Sequence, residues 1–302
     1  MRNRLYILIL LMCADRSALA TTIYAFHSSG DQFESVVEMV RMYLGEDYKV
    51  IDYPLSKEST FDEFRTAVRS SKVEYALLLD NTAVEFAKRY KVEMGNPFKA
   101  VATMSLNLRK ELESQDHICG IAFEPPVLRV VTQYQLQTKR KIRRLFVAYR
   151  AEFIDTVEAA RTQLAREGIE LNAVRTTESP SNQQLSEILE EGLVGNDAIW
   201  VLPDNIMINK SNFQSVWLKL ARSAQKPFLC SIKGFAAESL NFCTFASFPN
   251  PTELAAQTGA MLQNLIEDNI PPAELGVDQV YNLEFEINRP ALLRIYGSSG
   301  LE

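Results

Sequence analysis

The sequence predicts an α/β protein of two doubly wound lobes, each built on a parallel sheet and joined to the other through a hinge. Two observations predict this fold. Strand-like and helix-like segments alternate along the chain, and the alternation restarts near residue 139. In addition, residues 73–81 and 197–205 share one pattern, a short apolar strand that runs directly into Asp-Asn. Such alternation is typical of parallel sheets with right-handed crossovers.

The first half of the chain supplies five strands with helices between them. Short apolar runs mark the strands, and apolar residues at helical spacing mark the helices. Asp31 can cap the first helix, and Thr60 with Glu63 forms a capping-box pattern at the second. The predicted strands are residues 22–29, 48–53, 73–79, 98–104 and 118–123. The other main helices are residues 82–92 and 125–138.

The second half repeats this rhythm and adds a closing strand and helix. Its predicted strands are residues 143–149, 169–175, 197–202, 227–232 and 242–248. Its predicted helices are residues 152–167, 181–193, 211–224 and 251–268. We expect a signal peptide at 1–20, an N-terminal lobe at 21–138 and a C-terminal lobe at 139–277. The closing strand and helix, within 278–302, are expected to cross back to the N-terminal lobe.

The first 20 residues are typical of an export signal. Arg2 and Arg4 precede an apolar run that is too short to span a bilayer, and Ala18-Leu19-Ala20 matches a cleavage site. The sequence therefore predicts a soluble periplasmic protein. A lipoprotein anchored at Cys13 is the alternative, although Met12 stands where a small residue is expected.

Three further cysteines follow the export signal, at Cys119, Cys230 and Cys243. An oxidising compartment permits a bridge between Cys230 and Cys243, which lie on successive predicted strands. Two buried free thiols are the alternative, and the sequence does not decide between them. No Cys/His spacing indicates a zinc site.

Composition and motifs exclude several classes of function. The formal net charge of −6 argues against a general nucleic-acid binder. The sequence contains no G-x-S-x-G elbow, no phosphate-binding loop and no H-E-x-x-H metal motif. We therefore expect a binding protein rather than an enzyme, with no cofactor and no metal.

Candidate ligand contacts lie at the predicted carboxyl ends of the strands, where open α/β sheets bind their ligands. Asp204 can accept an ammonium group, and the helix that begins at Thr82 can hold a carboxylate on its free N–H groups. The alternative for both Asp-Asn pairs is that they cap the following helices. Trp200 is interpreted as a core residue. The candidates are Asp204, Asn205, Asn81, Thr82, Asp80, Ser28, Ser29, Ser105, Tyr149 and Arg150.

Four segments of the second half together resemble a known family. Residues 197–205, with Trp200, Pro203, Asp204 and Asn205, are similar to a strand-plus-Asp-Asn signature. Residues 226–228, 250–265 and 283–292 resemble the strand, late helix and closing elements that follow it. The chain thus resembles the substrate-binding proteins of ABC transporters, of the tryptophan/tyrosine type. It departs from them at residues 235–241, which lack a glycine-rich turn.

This resemblance implies a type I periplasmic-binding-protein-like fold and a function. The expected function is capture of a small polar organic ligand, amino-acid-like, in the cleft between the lobes. The expected partner is the inner-membrane permease of an ABC importer, which a monomeric binding protein would contact at the membrane. A ligand-sensing protein that reports to a membrane receptor or sensor kinase is the alternative.

Overall fold

The first lobe is a six-stranded parallel sheet. The computed structural model describes residues 20–56, 59–95 and 97–297, so the predicted signal segment lies outside it apart from Ala20. The strand order is β11-β5-β4-β3-β1-β2. The strands are β1 (Thr21–Ser28), β2 (Tyr48–Leu55), β3 (Tyr75–Leu78), β4 (Lys99–Ala102), β5 (Ile118–Ala122) and β11 (Val277–Gln279).

The second lobe is also a six-stranded sheet, in the order β12-β10-β9-β8-β6-β7. Its last strand in sequence is antiparallel to its neighbour, and the other pairs are parallel. The strands are β6 (Arg144–Tyr149), β7 (Glu170–Arg175), β8 (Ala198–Val201), β9 (Phe228–Cys230), β10 (Phe245–Pro249) and β12 (Leu283–Ile287). The predicted fold of two α/β lobes is confirmed.

Helices cover both faces of the two sheets. In the first half they are α1 (Asp31–Leu44), α2 (Phe61–Ser71), α3 (Asn81–Met94), α4 (Leu108–Glu111) and α5 (Val127–Thr138). In the second half they are α6 (Ile154–Arg166), α7 (Asn182–Leu193), α8 (Lys210–Asn212), α9 (Leu218–Ser223), α10 (Pro251–Ile266), α11 (Pro272–Leu275) and α12 (Arg289–Tyr296). A π-helical turn, Phe213–Trp217, joins α8 to α9.

Local sequence signals set the helix ends. The capping box at α2 is confirmed, because Thr60 Oγ1 accepts the Glu63 N–H at 3.4 Å and Glu63 Oε2 accepts the Thr60 N–H at 2.9 Å. The expectation for Asp31 is wrong in detail. Gly30 is the N-cap residue of α1. Asp31 lies in the first turn, where its negative charge interacts favourably with the positive end of the helix dipole.

Two helices pack against the lobe to which the sequence did not assign them. Val130, Val131 and Tyr134 of α5 are buried in the second lobe, where the Tyr134 ring lies 5.7 Å from that of Phe245. In return, α10 is buried against α1 of the first lobe. Helices α10 and α1 approach closely at Gly259 of α10, because a Cβ there would lie 2.3 Å from the Tyr43 ring of α1.

The closing segment corrects the expected domain boundaries. The short strand β11 extends the first sheet by pairing with β5, whereas β12 and α12 belong to the second lobe rather than the first. Phe285 on β12 stacks on Phe245 at 5.9 Å, and Leu292 of α12 is buried in the second core. The chain therefore crosses between the lobes three times: after β5, after β10 and after β11. Adjacent crossings of this kind form a hinge.

Cys230 and Cys243 form a disulfide, with their Cα atoms 6.2 Å apart. The bridge ties the end of β9 to the segment that enters β10. Cys119 is a buried free thiol. The question that the sequence left open is thus answered by a bridge in the second lobe. In the part of the chain that the structure describes, no helix is long and apolar enough to cross a membrane.

Candidate functional site

Arg150 and Asp204 form a buried ion pair between the carboxyl ends of β6 and β8. Arg150 Nε donates to Asp204 Oδ2 at 2.7 Å, and Nη2 donates to Oδ1 at 3.0 Å. The two side chains are only 6% and 1% exposed. Residues 150 and 204 were predicted as separate ligand contacts, but the structure pairs them with each other.

Both members of this ion pair make further hydrogen bonds, Arg150 to two more carboxylates and Asp204 to two backbone N–H groups. The guanidinium also donates to Glu152 at 2.5 Å and to Glu178 at 3.3 Å. Asp204 Oδ1 accepts the backbone N–H groups of Ile206 at 2.8 Å and Met207 at 3.2 Å. The capping role considered for Asp204 is therefore present, whereas Asn205 beside it is exposed.

Burial and charge act in opposite directions on the pKa values of this group. Burial lowers the pKa of Arg150, but the hydrogen bond and the charge of Asp204 outweigh it, so the pKa lies above its ordinary value. Burial raises the pKa of Glu152, and the positive charge of Arg150 offsets this only in part. Arg150 thus stays charged, and its guanidinium forms ion pairs with three carboxylates.

Asp80 and Asn81 organise the tips of the first sheet. Asp80 Oδ1 accepts the Ala83 N–H at 2.7 Å and so caps α3, while Oδ2 accepts the N–H of Ser28. Asn81 makes two hydrogen bonds to the backbone of Leu106, at 2.9 Å and 2.8 Å. Asp80 is therefore a cap, and Asn81 holds the loop that follows β4.

The remaining predicted residues are dispersed. Thr82 and Ser29 are exposed, and Ser28 is half-buried. Ser105 is fully buried, and its Oγ lacks a hydrogen-bond partner among the residues that the structure describes. Tyr149 is buried in the core of the second lobe.

A cavity of about 640 Å³ lies between the lobes on the hinge side. None of the ten predicted contacts lines it. The first lobe contributes residues that follow β4 and β5, and the second lobe contributes residues that follow β6, β8 and β9. Its polar lining includes Asn107, Arg109, Lys110, Glu113, Glu124, Glu152, Asp155, Thr156, Gln163, Ser231 and Gln279, and its apolar lining includes Val127, Phe153, Trp200 and Leu202.

The lobes contact each other directly at this cavity. The Asn107 side chain donates from Nδ2 to the backbone oxygen of Glu152 at 3.4 Å. Lys110 Nζ lies 3.9 Å from Asp155 Oδ2, and 2.6 Å from Glu113 Oε2 within its own lobe. These contacts join α4 to the segment that begins α6, so the cavity has walls from both lobes.

Glu124 is one of the cavity residues that the sequence interpretation did not identify as ligand contacts. It lies two residues after the end of β5, and Asn107 donates its backbone N–H to Glu124 Oε1 at 2.5 Å. Burial raises the pKa of this carboxyl group above its ordinary value. The rule that placed ligand contacts after β1 and β3 applies equally to β5, so the signal was present. The order of strands in space, which puts β5 beside the hinge, was the missing information.

No metal site accompanies the cavity. Within residues 20–56, 59–95 and 97–297, no group of three or more His, Cys, Asp or Glu side chains could hold a metal ion.

Solved structures share this fold over most of their length. A ligand-free, open substrate-binding protein with adhesive properties from Clostridium difficile has a TM-score of 0.67 at 12% identity, covering 92% of this chain and 95% of the other. An ABC domain in complex with L-Trp from Streptococcus pneumonia has a TM-score of 0.59 at 14% identity, covering 91% and 94%. A LacI transcriptional regulator from a Rhodococcus species has a TM-score of 0.57 at 12% identity, covering 88% and 96%.

At these identities the likeness concerns the fold. The type I periplasmic-binding-protein-like fold expected from the sequence is confirmed. No family model matches the sequence, and no curated protein matches it.

Proposed function

We propose that the protein is the exported solute-binding component of an ABC-type importer, which captures a small, polar, amino-acid-like ligand between its lobes. The observation that carries this proposal is the cavity of about 640 Å³ whose walls come from both lobes. Ligand pockets commonly enclose about 300–1,000 Å³, so the space fits a small organic solute. A ligand that touches both lobes shifts the equilibrium between open and closed forms.

The lining of the cavity supports a ligand with both polar and apolar parts. Trp200, Leu202 and Phe153 supply an apolar wall. Charged side chains from both lobes also line the cavity: Arg109, Lys110, Glu113 and Glu124 from the first lobe, and Glu152 and Asp155 from the second. We assign Arg150 and Asp204 a positioning role in this proposal, because their ion pair fixes Glu152 at the edge of the cavity.

The proposed location is the periplasm, with a permease as partner. The export signal expected at residues 1–20 supports this location, and a disulfide is stable in an oxidising compartment. In the importer, the closed and ligand-bound form would be the one presented to the permease.

A matched pair of variants on α6 tests the cavity. Thr156 is exposed and lines the cavity, whereas Thr162 is exposed on the same helix but does not line it. In a thermal-shift screen of amino acids, amines, small carboxylates and nucleosides, a ligand at 100 times its Kd should stabilise the wild type by about 2.7 kcal/mol. Thr162→Trp should keep this stabilisation.

Thr156→Trp should lose it, because the indole fills the space that the ligand needs. Equal stabilisation of the two tryptophan variants would contradict binding in this cavity. A screen in which no small organic solute stabilises the wild type would contradict the proposed function itself.

A further inference from the structure

Glu124 lies where the first lobe meets the hinge. It follows β5 and precedes Pro125 and Pro126, which lead the chain towards the second lobe. A residue before proline is biased towards extended backbone conformations, which restricts the backbone of Glu124. Glu124 lines the cavity and is half-buried.

The carboxylate of Glu124 has no cationic partner among the residues that the structure describes. Its hydrogen bonds come from backbone N–H groups, chiefly that of Asn107 at 2.5 Å. A carboxylate removed from water without a nearby positive charge is costly, and burial accordingly raises the pKa of Glu124. The folded protein thus holds, at the wall of the cavity, a carboxyl group that no positively charged side chain of the described residues offsets, and a bound cation would favour its ionised form.

The other acidic residues of the cavity each have a positively charged side chain within 4 Å. Glu113 pairs with Lys110 at 2.6 Å, and Glu152 pairs with Arg150 at 2.5 Å. Asp155 lies 3.9 Å from Lys110. Arg109 is exposed, and its guanidinium is 3.2 Å from the Gln279 amide oxygen. Among the described residues, Glu124 is therefore distinguished from the other acidic residues of the cavity both by its burial and by its lack of a positively charged partner.

We propose that Glu124 receives the protonated amine of the ligand, and that the cavity selects organic amines with an apolar body. The amine donates to the Glu124 carboxylate, and the apolar part lies against Trp200, Leu202 and Phe153. A free carboxylate on the ligand is not required by this arrangement. The inference rests on the proposed function, since it concerns the same cavity.

The contact with Asn107 connects this subsite to the closure of the lobes. The backbone N–H of Asn107 binds Glu124, and its side chain binds the backbone of Glu152 in the second lobe. An amine that fixes the Glu124 carboxylate therefore also fixes the residue that bridges the lobes. This arrangement gives ligand recognition a direct route to the hinge.

The test uses pairs of probes that differ only in the amine. Suitable pairs are phenethylamine with 2-phenylethanol, L-phenylalanine with 3-phenylpropionate, and L-leucine with 4-methylpentanoate. Calorimetry and thermal shift on the full chain should show binding by amine members and at least tenfold weaker binding by their partners. Equal affinities within the pairs, or binding by the carboxylates alone, would overturn the amine assignment and leave the proposed function in place.

A matched pair of glutamate variants assigns the effect to one residue. Glu124→Gln keeps an oxygen for the Asn107 N–H but removes the charge, so the tightest amine probe should bind about 10- to 100-fold more weakly. Glu111→Gln removes the charge of another half-buried glutamate of the first lobe, which pairs with Lys88 at 2.7 Å and does not line the cavity, and it should change the affinity less than threefold.

The amine-free probes should bind Glu124→Gln as they bind the wild type. Unchanged amine affinity in Glu124→Gln, with unfolding temperatures matched to the wild type, would overturn the proposal. If no probe binds the wild type at all, both the amine assignment and the proposed function fail.

Discussion

Replacing Arg150 by methionine should lower the free energy of unfolding by about 3–5 kcal/mol. The methionine has similar volume but leaves the Asp204 carboxylate buried, with only backbone N–H groups as partners. Asp204 is 1% exposed at its side chain, so water cannot replace the lost guanidinium. Chemical denaturation of both proteins, compared at their midpoints with equal m-values, measures the loss.

Two further variants distinguish the stability lost with the buried ion pair from the stability lost with any arginine. Arg150→Met/Asp204→Asn should recover most of the stability, because no buried charge remains and the asparagine oxygen can still accept from Ile206 and Met207. Arg161→Met removes an arginine from an exposed pair with Glu158, 3.6 Å away, and should cost about 0–1 kcal/mol. Equal losses in the Arg150 and Arg161 variants would show that the buried pair is not the source of the effect.

Replacing Trp200 by alanine should cost about 3–5 kcal/mol of unfolding free energy and weaken ligand binding. Trp200 is 5% exposed and belongs to the core of the second lobe, yet it also lines the cavity. The alanine would remove the indole from both places and leave a void between β8 and the helices that cover it. Denaturation measures the first effect, and calorimetry with the ligand measures the second.

The other tryptophan provides a matched control. Trp217 is buried in a separate cluster, and its Nε1 donates to Met207 O at 2.7 Å. In Trp217→Phe, the remaining fluorescence comes from Trp200, and we expect it to change when ligand binds. In Trp200→Phe the ligand-dependent change should disappear. A ligand response carried by Trp217 instead would place the ligand away from this cavity.

The sequence predicted the two-lobed fold because each lobe repeats the same alternation of strands and helices. It did not predict that α5 and α10 would exchange lobes. The apolar stripe on α10 shows that the helix is buried, but a stripe does not reveal which of two similar sheets buries it. The long-range contacts with α1, including the close approach at Gly259, decide the matter.

The candidate site was only partly predictable for a similar reason. Arg150 and Asp204 were both identified at strand ends, but they are 54 residues apart in the chain, and their pairing is a property of the folded sheet. Glu124 also follows a strand, but its place in the cavity wall depends on which strands lie beside β5 in the folded sheet. Because β5 lies beside β11, after which the chain crosses to the second lobe, a residue after β5 faces the space between the lobes.

The central claim is that a ligand binds between the lobes and closes them. Spin labels at Ser56→Cys and Ser179→Cys would report this closure, because both residues are exposed and follow the edge strands β2 and β7. These edges lie opposite the strands that adjoin the crossings, so closure should move them furthest. Within residues 20–297, the native cysteines that the structure describes are buried (Cys119) or bridged (Cys230 and Cys243) and should not take the label. Pulsed electron–electron double resonance should show a shorter distance between the two labels with saturating ligand than in the absence of ligand. An unchanged distance distribution, with ligand bound by calorimetry, would contradict the account.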